Sequence, residues 1–203
     1  MSRNLTASDR SALIRLASTM PAGSPERKAI LAGLAQSLRG VYDNAEVRNS
    51  AAVNDRATAH DNALIFGQAQ VWDNAKVSGY ARVYDNAQVY GYARVYGNAK
   101  VWNDAKVSGD AIVYDKADVR GDAKVYGDAK VHGYARVSDN AQVSGNAQVY
   151  GNAVVWNDAK VKGYAHVYGN ARISGTAVIL GGNWDGSEGE ITSGTWSAPG
   201  VPA

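Results

Sequence analysis

Few side chains in this sequence are equipped for chemistry. The histidines are His60, His132 and His166, and cysteine is absent. An imidazole serves as a general base, a general acid or a metal ligand, and each role needs a second group within reach. Without cysteine there is no thiolate nucleophile, thiolate metal site or disulfide. No nucleophile elbow, phosphate loop or zincin helix occurs, and the many glycines fall in turns instead of nucleotide-binding fingerprints. Asp104, Asp110, Asp122 and Asp128 carry carboxylates of the kind calcium needs. The calcium-binding repeats follow a nine-residue glycine and aspartate pattern that this chain lacks, so solvated corners are the better reading.

What must position these groups is a six-residue phrase running from 41 to 179 without insertion, as in Val95-Tyr-Gly-Asn-Ala-Lys100. Stepping by six from Val41 to Ile179 gives 24 positions, of which 20 are Val, three are Ile (Ile65, Ile173, Ile179) and one is Ala59. The slot four residues later, from Ala45 to Ala177, is alanine at all 23 positions. A fixed period means a repeat architecture. Val and the Ala two residues before it point to the same side of an extended strand, and the residues flanking Val point to the other. Between strands sit two turn residues, and 22 of the 24 pairs contain Gly or Asn, which tolerate positive φ. Asp55-Arg56 and Asp115-Lys116 are the exceptions, and in Asp73-Asn74 and Asp85-Asn86 the asparagine is expected to supply the bend.

Three such strands close a triangular coil of 18 residues, and 24 strands make eight coils, a prism on the order of 35–40 Å long at ~4.8 Å per coil. That geometry bears directly on the histidines. His60 and His132 fall in one column four coils, or ~19 Å, apart, while His132 and His166 lie beside positions two coils, or ~10 Å, apart. Zinc needs ligands ~2 Å from one ion, so these three cannot chelate a metal within one chain.

Composition agrees with a thin, stacked core. Among 203 residues, 45% are hydrophobic, yet Phe occurs once and Met twice, leaving Val and Ala to fill the interior. The net charge of +2 (21 Lys and Arg against 19 Asp and Glu) does not argue for nucleic acid, and the bases are interleaved with acids. No run approaches the ~18 apolar residues of a membrane span, and the N-terminus lacks the apolar core of a signal peptide. A soluble protein without a membrane partner is expected.

Residues 1–40 read differently. Leu13, Leu16, Ala17 and Met20 fall at helical spacing behind Ser8-Asp9, and Pro21-Ala-Gly23 breaks the chain. Ser24, Pro25 and Glu26 look like an N-cap, a first-turn proline and an acid at the positive helix end. Ile30, Leu31, Leu34 and Leu38 supply a second apolar stripe, stopped at Gly40. Helices this short are marginal alone and must dock, covering the first coil, packing on each other beside it, or anchoring another subunit through Leu13, Leu16, Ile30 and Leu34. Residues 181–203 abandon the period; Trp184 and Trp196 are expected to cover the last coil, followed by a loose tail.

The pattern of an aliphatic residue first, a small one fifth and often Asn fourth resembles the hexapeptide-repeat superfamily, over about 140 of 203 residues. That resemblance implies a left-handed parallel β-helix; period and spacing alone give only a β-solenoid. The chain departs from the family by placing Tyr84, Tyr90, Tyr96, Trp102 or Trp156 just after the aliphatic residue. It is most similar to an Asn-Ala-rich branch described as uncharacterised or transferase-like. Acyltransferases of the superfamily use a catalytic His, usually with a loop breaking the repeat, and bind an acyl carrier or coenzyme A between subunits. No such loop interrupts 41–179 here. Ala12-Leu-Ile-Arg-Leu-Ala17 with Gly23-Ser-Pro-Glu-Arg-Lys-Ala-Ile-Leu31 resembles a short helical segment of tailed-phage proteins, which implies a virion context.

Outward aromatics are the one unusual surface feature. One column after Val holds Tyr42, His60, Ser78, Tyr96, Tyr114, His132, Tyr150 and Tyr168, and the other two hold Trp72, Trp102 and Trp156 among smaller residues. Flat strand faces favour aromatics, and rings stacked over Lys stems stabilise a prism. The same rings also suit a contact surface. The sequence therefore predicts an all-β parallel β-helix with domains at 1–40, 41–180 and 181–203. Its expected role is that of a non-enzymatic, homo-oligomeric structural protein, a phage virion component in the most concrete version, with no cofactor, no metal and no catalytic residue. Tyr96, Tyr114, Tyr150 and Tyr168 are the expected interaction face, and Trp72, Trp102 and Trp156 the candidates for a glycan or an interface. The alternatives are an acyltransferase-like enzyme with an intersubunit site and a carbohydrate-binding adhesin.

Overall fold

A computed structural model describes residues 7–37, 40–198 and 201–202. From Val41 onward the chain winds as a parallel β-solenoid of about eight turns. Each hexad contributes a two-residue strand, as at Arg94–Val95 and Lys100–Val101. Strands 18 residues apart pair in parallel, Lys76 beside Arg94 and Val77 beside Val95. The result is three sheets. The first face runs through Thr58–Ala59, Lys76–Val77 and Arg94–Val95 up to Asn183–Trp184, the second from Glu46–Val47 to Glu190–Ile191, and the third from Ala52–Val53 to Thr195–Ala198 and on to Val201–Pro202.

The core is the Val and Ala columns. Between Ala57 and Ile179 every hexad Val, Ile or Ala of those two columns is buried, as is Ala59 where the Val column is interrupted. Small Ala beside each corner lets neighbouring strands meet at an angle, and Val, stiff at χ1, stacks on itself from coil to coil. Each coil satisfies the backbone of the one before it, Tyr96 N–H donating to Val113 C=O at 3.0 Å and Lys100 N–H to Ala117 C=O at 2.9 Å.

The corners obey a stricter rule than the sequence suggested. The first turn residue takes positive φ at every corner from Asp43 to Gly175, whether it is Gly, Asn or Asp. Asp55 (φ 56°) and Asp115 (φ 58°), the apparent exceptions, bend like the rest. Asp73 and Asp85 adopt φ 59° themselves instead of leaving the bend to the following Asn. The Ala N–H closes the turn on the residue after Val, as from Ala105 to Trp102 at 3.4 Å. Positive φ at the first central position is a II′ trait, for which Gly, Asn and Asp are suited.

Past 180 the winding does not stop. Asn183–Trp184 pairs with His166–Val167, Glu190–Ile191 with Arg172–Ile173, and Thr195–Trp196 with Val178–Ile179. Residues 181–198 thus add an irregular turn to the same prism. Trp184 is fully buried above Val167, and its indole N–H donates to Gly181 C=O at 2.6 Å. Trp196 packs edge-on against it, with ring centroids 6.1 Å apart.

At the other end lie helices α1 (Ala7–Thr19) and α2 (Pro25–Ser37), which pack on each other. Ser24 caps α2, its Oγ accepting from Arg27 N–H at 3.2 Å, with Pro25 in the first turn. Ala17 is buried, whereas Leu13, Met20 and Ile30 are half-buried. The side chains of Leu34 and Leu38 lie outside the described residues. Among the described residues no helix is long and apolar enough to cross a membrane.

Candidate functional site

Residues after each Val stand at the outer edge of a strand, one coil above the last, so equal types meet face to face. On the first face Tyr96, Tyr114, His132, Tyr150 and Tyr168 form one unbroken stack, with centroids 5.1, 4.6, 5.0 and 5.1 Å apart and planes within 13° of parallel. Ser78 separates it from the Tyr42 and His60 pair below, 4.7 Å apart. The four tyrosines expected to form an interaction face are therefore brought together, but as a ladder whose ring faces cover one another. Edges and hydroxyls are what such a ladder presents outward. Burial raises the pKa of the Tyr114 and Tyr150 phenols above the ordinary value, assisted by the neighbouring Tyr96 and Tyr168 respectively.

The three candidate tryptophans are similarly engaged. Trp72 stacks on Tyr90 at 4.6 Å. Trp102 has Tyr84 on one side at 5.5 Å and the Arg120 guanidinium over its ring at 5.7 Å, and its N–H donates to Asp118 Oδ1 at 2.7 Å. Trp156 carries Arg172 over its ring at 4.7 Å. These neighbours take both sides of Trp102 and one side each of Trp72 and Trp156.

His132 lies between Tyr114 and Tyr150 with Nδ1 3.8 Å from Asp115 Oδ2. Burial holds its pKa below the ordinary value, with Lys130 acting in the same direction against Asp115. His60 stands 3.9 Å from Asp43 in the corresponding place. His166 meets Tyr150 edge-on at 6.5 Å. Among the described residues no three His, Cys, Asp or Glu side chains gather as metal ligands.

The first-slot turn aspartates have a role the sequence reading missed. A ladder of strands leaves the N–H of the first turn residue without a carbonyl, and the Asp one coil below supplies one: Asp61 Oδ2 accepts from Gly79 N–H at 2.8 Å, Asp73 Oδ2 from Gly91 N–H at 3.0 Å, and Asp139 Oδ2 from Asn157 N–H at 3.1 Å. In the second slot, Asp104 and Asp158 accept from Asn86 and Asn140 one coil below, both at 3.1 Å.

Also missed was the distinction between the aromatic slots. Tyr80, Tyr92, Tyr134 and Tyr164, in the second turn slot, are 63, 63, 58 and 74% exposed, more than any ladder ring. Lys116 covers Tyr134, its Nζ donating to the phenol oxygen at 2.9 Å and lying 4.8 Å from the ring centroid. Among the described ring contacts, none involves Tyr80, Tyr92 or Tyr164. Between each rim of turn residues and the strand residues before Val runs a shallow groove. The one along the first face holds about 760 Å³, against about 510 Å³ on the third and 310 Å³ on the second.

The fold and these surfaces define a parallel β-solenoid. Residues 81–97 and 141–156 match the model of the YdcK β-solenoid repeat, so two stretches of the prism are similar to that family. No curated protein matches the chain.

Proposed function

We propose that this protein is a non-enzymatic structural scaffold, a rigid rod of the hexapeptide-repeat, left-handed type that assembles with copies of itself or with other subunits through its N-terminal helix pair. A phage particle is the most concrete setting, in line with the resemblance of residues 12–31 to a helical segment of tailed-phage proteins. One observation carries the reading. Ile14, Leu16 and Leu31 are 53, 47 and 45% exposed on the helix pair. Apolar side chains left exposed on such short helices are available to a contact surface. The prism supplies reach and stiffness.

Mass photometry of the full chain beside Leu16→Asp/Leu31→Asp tests this. An oligomer that falls to monomer in the double variant is the expected result. A monomer in both proteins would sink self-assembly. Coenzyme A binding that disappears in His132→Ala or His166→Ala would replace the scaffold with a transferase.

A further inference from the structure

The first-face groove combines two open rim tyrosines with a cationic floor. Tyr92 and Tyr164 sit on one corner, 72 residues and so four coils apart, ~19 Å along the axis. Both are largely exposed with no described ring stacked on them, so each offers the free face that the ladder rings lack.

Between these two platforms the floor is a single column in strict parallel register: Arg94, Ile112, Lys130, Gln148, His166. Arg94 and Lys130 are separated by one neutral coil, ~10 Å in all, and a neutral Gln148 separates Lys130 from the His166 imidazole. Lys76 adds a cation beyond Tyr92, next to Arg94. Lys76, Arg94 and Lys130 enter no described ion pair, whereas Arg48, Arg120 and Arg172 all do. Asp110 and Asp128 on the rim are carboxylates with no described ion pair, placed to accept from hydroxyls. The third-face groove lacks this pattern. There no tyrosine rises from the rim beside Lys106 and Lys124.

We propose that the first-face groove binds a linear acidic glycan in extended form, with sugars four residues apart stacked on Tyr92 and Tyr164 and carboxylates of alternate sugars on Arg94 and Lys130. A sugar ring in an extended β-linked chain advances by close to one coil rise, so the polymer and the solenoid stay in step. An aromatic platform is apolar on its face and takes the C–H side of a pyranose, while the rim and floor donate to and accept from its hydroxyls. Charge-assisted contacts at every second coil select a chain that is acidic at every second sugar. A nucleic acid also carries regular negative charge, but it would meet Asp110 and Asp128 without hydroxyls enough to satisfy them.

Isothermal calorimetry on the full chain tests the assignment with an octasaccharide of alternating glucuronate and N-acetylglucosamine. Cellohexaose and a short oligothymidylate serve as comparison ligands. Tyr92→Ala/Tyr164→Ala and Arg94→Gln/Lys130→Gln are each expected to weaken octasaccharide binding by about tenfold or more, one decade of Kd. Lys106→Gln/Lys124→Gln on the third face should leave it unchanged. The altered side chains are at the surface, and unchanged melting curves would show that the variants fold. Absence of octasaccharide binding, equal loss in the third-face variant, equal affinity for cellohexaose, or tighter binding of the oligothymidylate would each overturn the proposal. Assembly through the helix pair is a separate matter, because these variants leave Leu16 and Leu31 in place and mass photometry reads it independently.

Discussion

At the scale of single residues, the corner decides what the chain can contain. Gly97 sits at φ 71°, and a Cβ built there would lie 3.0 Å from Asp115 N. Where Gly is replaced by Asp or Asn, a short side chain that bonds locally makes the left-handed conformation tolerable. Six corner aspartates, among them Asp115, go further and accept the otherwise unserved N–H one coil above. The folded pKa of His132 lies below the ordinary value because stacking removes it from water. The unfolded chain therefore binds the proton more readily, so the stability present above about pH 6.5 is lost as the pH falls. His132→Phe keeps the stack and removes the titration. Thermal melts at about pH 7.5 and about pH 5.5 should show a larger drop for the wild-type chain than for the variant, and equal drops would exclude this role for the imidazole.

At the scale of elements, the strands are only two residues long, so no strand is stable by itself. Stability comes from columns: Val on Val inside, ring on ring outside. Tyr114 contacts Tyr96 and His132 at once. Removing it as Tyr114→Ala should cost about 1–3 kcal/mol, two ring pairs at their usual worth. Tyr80→Ala, at an exposed corner with no described ring contact, should fall within about 0.5 kcal/mol of zero. Urea unfolding of the two variants distinguishes a ladder that stabilises the rod from one that merely decorates it. Similar losses at both positions would mean that stacking contributes nothing beyond burial of area.

At the scale of the molecule, the solenoid is nearly one-dimensional, each coil touching only the coils above and below. Interior coils have two neighbours, and the ends differ in how they finish. The C-terminal end is closed by Trp184 in the core and Trp196 against it, with Ile191 completing the layer over Ile173. The N-terminal end is less well filled: Val53 is only partly buried, and the Val column is broken by Ala59 one coil on. Amide hydrogen exchange should therefore be slowest for coils in the middle, such as those containing Val113 and Val131, and faster in the coil from Val41 to Asp55 than in the one from Ile173 to Trp184. Uniform protection along the rod would indicate that it unfolds as a single unit.

The period alone determined a solenoid with a corner every sixth residue and Val and Ala facing inward, and it led to the expectation of three hexads to a coil, which the 18-residue strand pairing shows. It also determined which aromatic residues share a column. Tertiary structure decided what those columns do. A sequence does not contain the spacing between rings, and only the ~4.8 Å rise per coil brings Tyr96, Tyr114, His132, Tyr150 and Tyr168 into one stack. The turn past residue 180 was likewise illegible. Strand spacings of 17 and 18 residues carry no repeating type, and a nearly complete further coil is recognisable only once Trp184 is seen above Val167.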